Sequence, residues 1–147
     1  RRLSGYKTMF SDPQGFADAV EVSLPSLHRH HGTWYVVPEQ LSSYKEVMSS
    51  RMRMIGLSAS HGDSFTPSPA LVNRVASEDN AVFLTRDGAV RFCYGDSVDD
   101  GVVWRRDIRE TMFFVFDHHG RCVGLGRDDD GCVEPVLDRG VYVRDRR

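Results

Sequence analysis

The sequence lacks the features that would point to a membrane span, a disulfide framework or a zinc knuckle. Its longest apolar run covers only residues 112–116, far short of the roughly 20 residues that cross a bilayer, and no signal-peptide core opens the chain. Its three cysteines are an odd number and form no C-x-x-C pair, a pattern that suits a reducing compartment. We therefore expect a cytoplasmic protein without a transmembrane segment.

The chain also lacks an excess of charge of either sign. Nineteen Lys and Arg residues stand against 21 Asp and Glu residues, which gives a formal net charge of −2 over 147 residues. Such a mixture produces no broad positive field to hold a phosphate backbone, so no nucleic acid partner is expected. An apolar fraction of 40% is typical of a folded globular chain. This length suits one domain over residues 1–147.

Helical periodicity is scarce, and apolar residues occur in short runs separated by Gly, Pro, Asp and Ser. Segments with strand character are 33–37, 52–57, 81–85, 89–94, 112–116, 122–125, 132–136 and 141–145. Residues from about 42 to 80 are predicted to form a loop-rich insertion, in which 61–69 is an exposed loop. Residues 38–48 could form a turn or two of helix. Many short strands at roughly ten-residue spacing predict an all-β fold, an antiparallel β-sandwich with little helix.

The clearest local prediction is a hairpin centred on Asp87-Gly88. An Asp-Gly step between two apolar runs favours a tight turn, because glycine readily adopts the positive φ that such a turn requires. Residues 81–85 and 89–94 would then pair as neighbouring strands. The run at 112–116 is apolar on both faces, as in a central strand that is covered on both sides.

Several segments, taken in order, resemble a neuralized homology repeat. They are LSGYK (3–7), FSDP (10–13), SLPSL (23–27), HGTW (31–34), VPEQ (37–40), DGAVRF (87–92), YGD (94–96) and FDHHGRCV (116–123). The resemblance implies a concanavalin-like sandwich that recognises short peptides, commonly as the substrate- or adaptor-binding part of a ubiquitin ligase. The family's opening third has no counterpart here, so we expect its strands to be absent, supplied otherwise or replaced. Sheet edges left unpaired in this way would allow self-association.

No metal, cofactor or catalytic role is assigned. The six histidines include adjacent pairs, which point to opposite faces on a strand and cannot easily share one ion. The acidic run 128–130 lacks the D-x-D-x-D-G spacing of a calcium loop and reads as a solvated hairpin tip. Cys93 has no protease signature around it, and we interpret it as a small strand hydrophobe. We expect a chain that is not an enzyme.

Aromatic and charged residues on predicted loops indicate where a partner binds. Trp104 beside arginine, and Phe65 in a polar loop, are expected to be exposed, and such aromatics often anchor protein interfaces. The candidate contacts, at one rim of the sandwich, are Phe65, Tyr94, Asp96, Trp104, Arg105, His118 and His119. The predicted function is a protein- or peptide-binding module associated with a ubiquitin ligase. The alternative is a carbohydrate-binding, lectin-like or glycoside-processing jelly roll.

Overall fold

The computed structural model describes residues 10–30, 33–36, 58–61 and 65–138. The predictions for residues 38–48, 52–57 and 141–145 lie outside these ranges, as do two segments of the family resemblance, 3–7 and 37–40. Within the described ranges the chain forms three α-helices, eight strands and two short 3₁₀ turns.

The helices are α1 (Pro13–Val20), α2 (Pro69–Val75) and α3 (Arg86–Cys93), and the 3₁₀ turns are Glu78–Asn80 and Asp100–Val102. The strands are β1 (Leu27–His30), β2 (Thr33–Val36), β3 (Ser58–His61), β4 (Ala81–Leu84), β5 (Val103–Asp107), β6 (Met112–Phe116), β7 (Cys122–Asp129) and β8 (Cys132–Asp138). The first three form an antiparallel sheet, and the others form a five-stranded sheet in the order β5-β4-β6-β7-β8. In that sheet β4 and β6 are parallel, and every other pair is antiparallel.

The prediction of an all-β antiparallel sandwich with little helix is wrong. The five-stranded sheet is mixed and has helices against both faces. On one face Phe16 of α1 and Leu71 of α2 share a buried cluster with Phe114 of β6. On the other face Phe92 of α3 packs in a cluster with Val115 of β6. Helices therefore cover both faces of the five-stranded sheet, with help from the small sheet on the first face. The sandwich prediction had placed a second large sheet there.

The predicted hairpin at Asp87-Gly88 is also wrong, because residues 86–93 form α3. Thr85 is its N-cap, and its hydroxyl accepts a hydrogen bond from the Gly88 N–H at 3.3 Å. Ala89 and Phe92, three residues apart, are buried, while Val90 is half exposed. That spacing follows the period of a helix rather than the two-residue alternation of a strand. Capping by threonine therefore prevails over the turn preference of Asp-Gly.

The expected exposed loop at 61–69 includes a buried segment. Phe65 is fully buried, and its N–H donates to the Phe10 carbonyl at 2.9 Å in an isolated β-bridge. Four residues later Pro69 begins α2, for which Ser68 is the N-cap and accepts from the Leu71 N–H at 3.2 Å. The expectation that Phe65 is exposed is therefore wrong.

Other local predictions are confirmed. The run at 33–36 is β2, and β6 is the middle strand of the large sheet, with Phe113 and Phe114 in the clusters on its two faces. The acidic run lies in the β7–β8 hairpin, whose tip is Asp130-Gly131, both with positive φ. The interpretation of Cys93 as a strand residue, by contrast, is wrong, because Cys93 ends α3.

Buried Asn80 connects three parts of the structure. Its Oδ1 accepts from the N–H groups of Arg109 at 2.9 Å and Glu110 at 3.2 Å. Its Nδ2 donates to the carbonyl of Met112 at 2.9 Å and that of Val20 at 3.4 Å. One amide side chain therefore fixes the end of α1 and the β5–β6 loop against the start of β6, and so positions the C-terminal end of β5.

Candidate functional site

Strand β5 forms one edge of the five-stranded sheet, with β4 as its only neighbour among the described strands. Four of its five residues are exposed and the fifth is half-buried. The opposite edge, β8, is partly closed, because Val133 exchanges two backbone hydrogen bonds with Val98 on its outer side. Two residues further on, Pro135 faces that same side with a nitrogen that carries no hydrogen. Of the two edges, β5 is the better suited to accept a further strand.

Trp104 lies at an irregularity in β5. Phe83 pairs with Arg105 and Leu84 pairs with Val103, so Trp104 is the extra residue of a β-bulge. A bulge redirects its side chain, and the Trp104 ring lies 5.3 Å from the Phe83 ring, centroid to centroid, while 55% of the residue stays exposed. The indole therefore has one side on the sheet and the other in solvent.

Arg105 lies against the same aromatic ring, and its charge is paired. Its guanidinium carbon is 4.6 Å from the centroid of Phe83, its Nε donates to Asp107 at 2.9 Å and its Nη1 donates to Glu78 at 3.2 Å. The hydrogen bond that Arg105 donates to Asp107 raises the pKa of Arg105 further, burial has a smaller opposing effect, and Glu78 adds to the increase. Arg105 is thus a fixed cation within an acidic neighbourhood.

The backbone of Arg106 points to the free side of β5. Thr85, which follows β4, donates its N–H to the Val102 carbonyl at 2.8 Å, so by two-residue alternation Phe83 also directs its backbone groups toward β5. Its partner Arg105 therefore bonds to β4, and the N–H and C=O of the next residue, Arg106, face away from the sheet. Neither group has a backbone partner among the described residues, and both are therefore suited to pair with an added strand.

The predicted contact residues do not all come together. Trp104 and Arg105 are neighbours on β5. His118 and His119 are exposed in the β6–β7 turn with their rings 3.9 Å apart, and this turn follows Phe116 at the end of the sheet where β5 begins.

The other predicted contacts lie elsewhere. Tyr94 and Asp96 are exposed but follow the C-terminal end of α3, about 12 Å along the helix from its start. Phe65 is fully buried in the core and offers no surface to a partner. The proposed rim therefore reduces to the β5 edge and the neighbouring turn.

Asp117 shapes that turn. Burial raises the pKa of its carboxyl, but hydrogen bonds from the backbone N–H groups of Arg121 and His119 and from the Arg121 side chain outweigh burial and lower the pKa overall. The distances to Oδ1 are 2.9 Å from Arg121 N and 2.8 Å from His119 N, and Arg121 Nε lies 3.0 Å from Oδ2. Asp117 thus acts as a structural anion that holds the two histidines outward.

The prediction missed the acidic residues around β5. Arg106 pairs with Asp100 and lies 3.9 Å from Asp128 of β7, and Arg105 pairs with Glu78 and Asp107. The Asp99-Asp100 pair just before the strand and Asp107 at its end give a sequence signal, whereas Glu78 and Asp128 come from distant positions. Among the described residues, no group of three or more His, Cys, Asp or Glu is arranged to hold a metal ion.

Comparisons with known proteins do not assign the chain to a family. No protein-family profile matches the chain, and no curated protein matches it. The structure is similar to that of a conserved PUA domain protein from Thermoplasma acidophilum, with 17% sequence identity, a TM-score of 0.42, and coverage of 83% of this chain and 87% of that chain. No helix in the part of the chain that the structure describes is long and apolar enough to cross a membrane.

The exclusion of nucleic acid as a partner is not kept. Its physical weakness is that a net charge summed over 147 residues averages across all surfaces, whereas an interface senses only the local potential.

Proposed function

We propose that this chain is a protein-binding module that takes up an extended peptide segment of a partner as an additional strand beside β5. The observation that carries the proposal is an edge strand with outward backbone groups at Arg106 and a half-exposed indole at Trp104. In strand addition, main-chain hydrogen bonds provide affinity and side-chain contacts provide selectivity. We expect the module to act in the cytoplasm. The odd cysteine count supports this location, because it suits a reducing compartment.

The size of the Trp104 contribution follows from its exposed surface. A tryptophan contributes up to about 250 Å², so 55% exposure leaves roughly 140 Å² for a partner to cover. At about 25 cal/mol per Å² this burial is worth at most about 3.5 kcal/mol. Since about 1.4 kcal/mol corresponds to a tenfold change in Kd, truncation of Trp104 is expected to weaken binding by roughly 10- to 100-fold.

The link to a ubiquitin ligase came only from the neuralized resemblance, whose expected sandwich is not the observed fold, and we do not carry it into the proposal. The lectin-like or glycoside-processing alternative depended on the same all-β architecture. Neither has a feature among the described residues that favours it over strand addition.

The test is selection of a displayed library of eight-residue peptides on the domain, followed by affinity measurement with fluorescent copies of the enriched sequences. On the backbone, Arg106→Pro removes an outward N–H and no hydrogen bond to β4, because the backbone of this residue faces away from β4. Arg106→Ala controls for loss of the side chain. Binding is expected to fall at least tenfold in Arg106→Pro and in Trp104→Ala, and less in Arg106→Ala.

Two outcomes contradict the proposal. The first is a selection that enriches no peptide over the empty display scaffold. The second is a set of enriched peptides that bind Arg106→Pro and Trp104→Ala as tightly as the unmodified domain. Thermal melting of each variant shows whether the sheet is intact, so that a loss of binding is not confused with unfolding.

A further inference from the structure

The charges around β5 are unbalanced. Two guanidinium groups, on Arg105 and Arg106, are met by four carboxylates, those of Glu78 and Asp107 for the first and of Asp100 and Asp128 for the second. Each of these four side chains is more than half exposed. One carboxylate neutralises each arginine, and a second carboxylate beside each arginine is left over. The surroundings of the edge strand are therefore negatively charged despite its two arginines.

The acidic groups lie toward both ends of the strand. Asp100 precedes β5 in a 3₁₀ turn, where its neighbour Asp99 is also exposed. Asp107 ends β5 and pairs in register with Ala81, which follows the 3₁₀ turn that contains Glu78 and Asp79. A five-residue strand is about 17 Å long. A peptide along its free side would run between the acidic turn that precedes β5 and the acidic residues Glu78, Asp79 and Asp107 near its end.

On this basis we infer that the segment taken up beside β5 is basic, with lysine or arginine flanking a β-branched or aromatic centre that covers Trp104. This inference rests on the proposed function. Charge complementarity of this kind suppresses wrong partners and speeds encounter. The excess charge is exposed and thus screened by salt within roughly 10 Å at 0.1 M ionic strength, so the preference should weaken as salt is added.

Two other occupants fit the same edge less well. A second copy of this chain would bring its own acidic surround and would place arginines of β5 opposite one another, and like charges directly across a strand pair are destabilising. A single-stranded RNA would bring phosphates toward carboxylates. Both are included as alternative results of the experiment below.

The experiment uses synthetic six-residue peptides with a constant Thr-Val-Thr host and three guest positions filled with Lys, Gln or Glu. Fluorescence anisotropy measures their Kd for the full chain at about 50 mM and about 300 mM salt. We expect the Lys peptide to bind at least tenfold more tightly than the Gln peptide, with the Glu peptide weakest. The ratio of Lys to Gln affinity should fall several-fold at the higher salt concentration.

Matched charge variants locate the effect. Glu78→Gln and Asp100→Asn, which lie toward opposite ends of β5, should each lower the Lys-to-Gln ratio at least threefold while leaving the affinity for the Gln peptide unchanged. Asp18→Asn, an equally conservative change at an exposed position of α1, should leave the ratio unchanged. An equal loss in all three variants would mean a general charge effect and would overturn the inference.

The remaining outcomes separate the two proposals. Equal Kd values for the three peptides, with binding lost in Arg106→Pro, would overturn the basic specificity and leave strand addition standing. Failure of every peptide to bind, or binding that Arg106→Pro does not change, would overturn strand addition itself. A mixed-sequence 12-nucleotide RNA that binds through Trp104 while the Lys peptide does not, or dimerisation through β5 in light scattering, would reject the basic peptide as the occupant.

Discussion

Replacing Asn80 with alanine is expected to destabilise the fold by about 3 kcal/mol. The side chain makes four hydrogen bonds, of which the one to Val20 is long at 3.4 Å and contributes little. At about 1 kcal/mol net for each of the other three, the loss is about 3 kcal/mol. Water can still reach the partly buried N–H groups of Arg109 and Glu110, which lowers the free-energy cost of the substitution. The buried carbonyl of Val20 loses its donor, which raises that cost.

Urea unfolding of the full chain measures this effect as a change in midpoint at constant slope, the behaviour expected of a stability change alone. Asn73→Ala on α2 is the matched control, because Asn73 is exposed and alanine there gains about 0.5 kcal/mol of helix propensity. A loss of stability below about 1 kcal/mol for Asn80→Ala would refute the view that this amide joins α1, the β5–β6 loop and β6. The same conclusion would follow if Asn73→Ala lost as much stability as Asn80→Ala.

Three further predictions concern other parts of the fold. Because the native pKa of Asp117 is lowered, its contribution to stability is present above about pH 4 and is lost as the pH falls through the native value, so Asp117→Asn should flatten the acid limb of a stability–pH curve. In Gly124→Ala a Cβ would lie 1.9 Å from the carbonyl oxygen of Leu137 at a φ of 153°, and we expect thermal melts to show a loss of stability above about 3 kcal/mol. Gly120→Ala is the control, because its φ is also positive but the space around it is open. It should cost about 1 kcal/mol in the same measurement. Thr85→Ala should lose about 1 kcal/mol through the N-cap of α3, and Thr85→Ser should restore most of it in urea titrations.

The elements that the sequence predicts correctly are those whose residues all favour one structure. The run at Met112–Phe116 contains no polar residue, so both faces of the strand are apolar. Such a strand favours a central place in the sheet, where other elements cover both of its faces. Strand Thr33–Val36 is composed of β-branched and aromatic residues. Both predictions depend only on local composition, and no long-range partner changes them.

The helix at Arg86–Cys93 was missed because two local preferences compete. Asp87-Gly88 favours a turn, whereas Thr85 three residues before Gly88 is a helix N-cap. Gly88 also fits tightly, since a Cβ there would meet Val102 at 2.8 Å, and this close packing is not visible in a sequence. Capping by Thr85 and the tertiary packing of Gly88 therefore act together in favour of the helix.

Burial of the two candidate aromatics was not decided by their sequence neighbours. Phe65 and Trp104 both have polar residues beside them, yet Phe65 is fully buried and Trp104 is more than half exposed. The difference lies in the strand order. Phe65 bridges Phe10 next to α1 and enters the core, whereas Trp104 lies on an edge strand. Edge position depends on which strands pair, and the parallel pairing of β4 with β6 has no local signature.

The bulge at Trp104 limits what the edge can bind. Regular pairing with β4 resumes only at Arg105 and continues to Asp107, so an added strand finds about three residues of undistorted backbone beyond the bulge. A ladder this short supplies few main-chain hydrogen bonds, each worth about 1 kcal/mol. Most of the affinity must then come from side chains, the indole on one side and the exposed carboxylates at the ends. A long apolar strand gains little from such an edge, which protects the fold from indiscriminate pairing and makes the charge of the partner segment its main means of recognition.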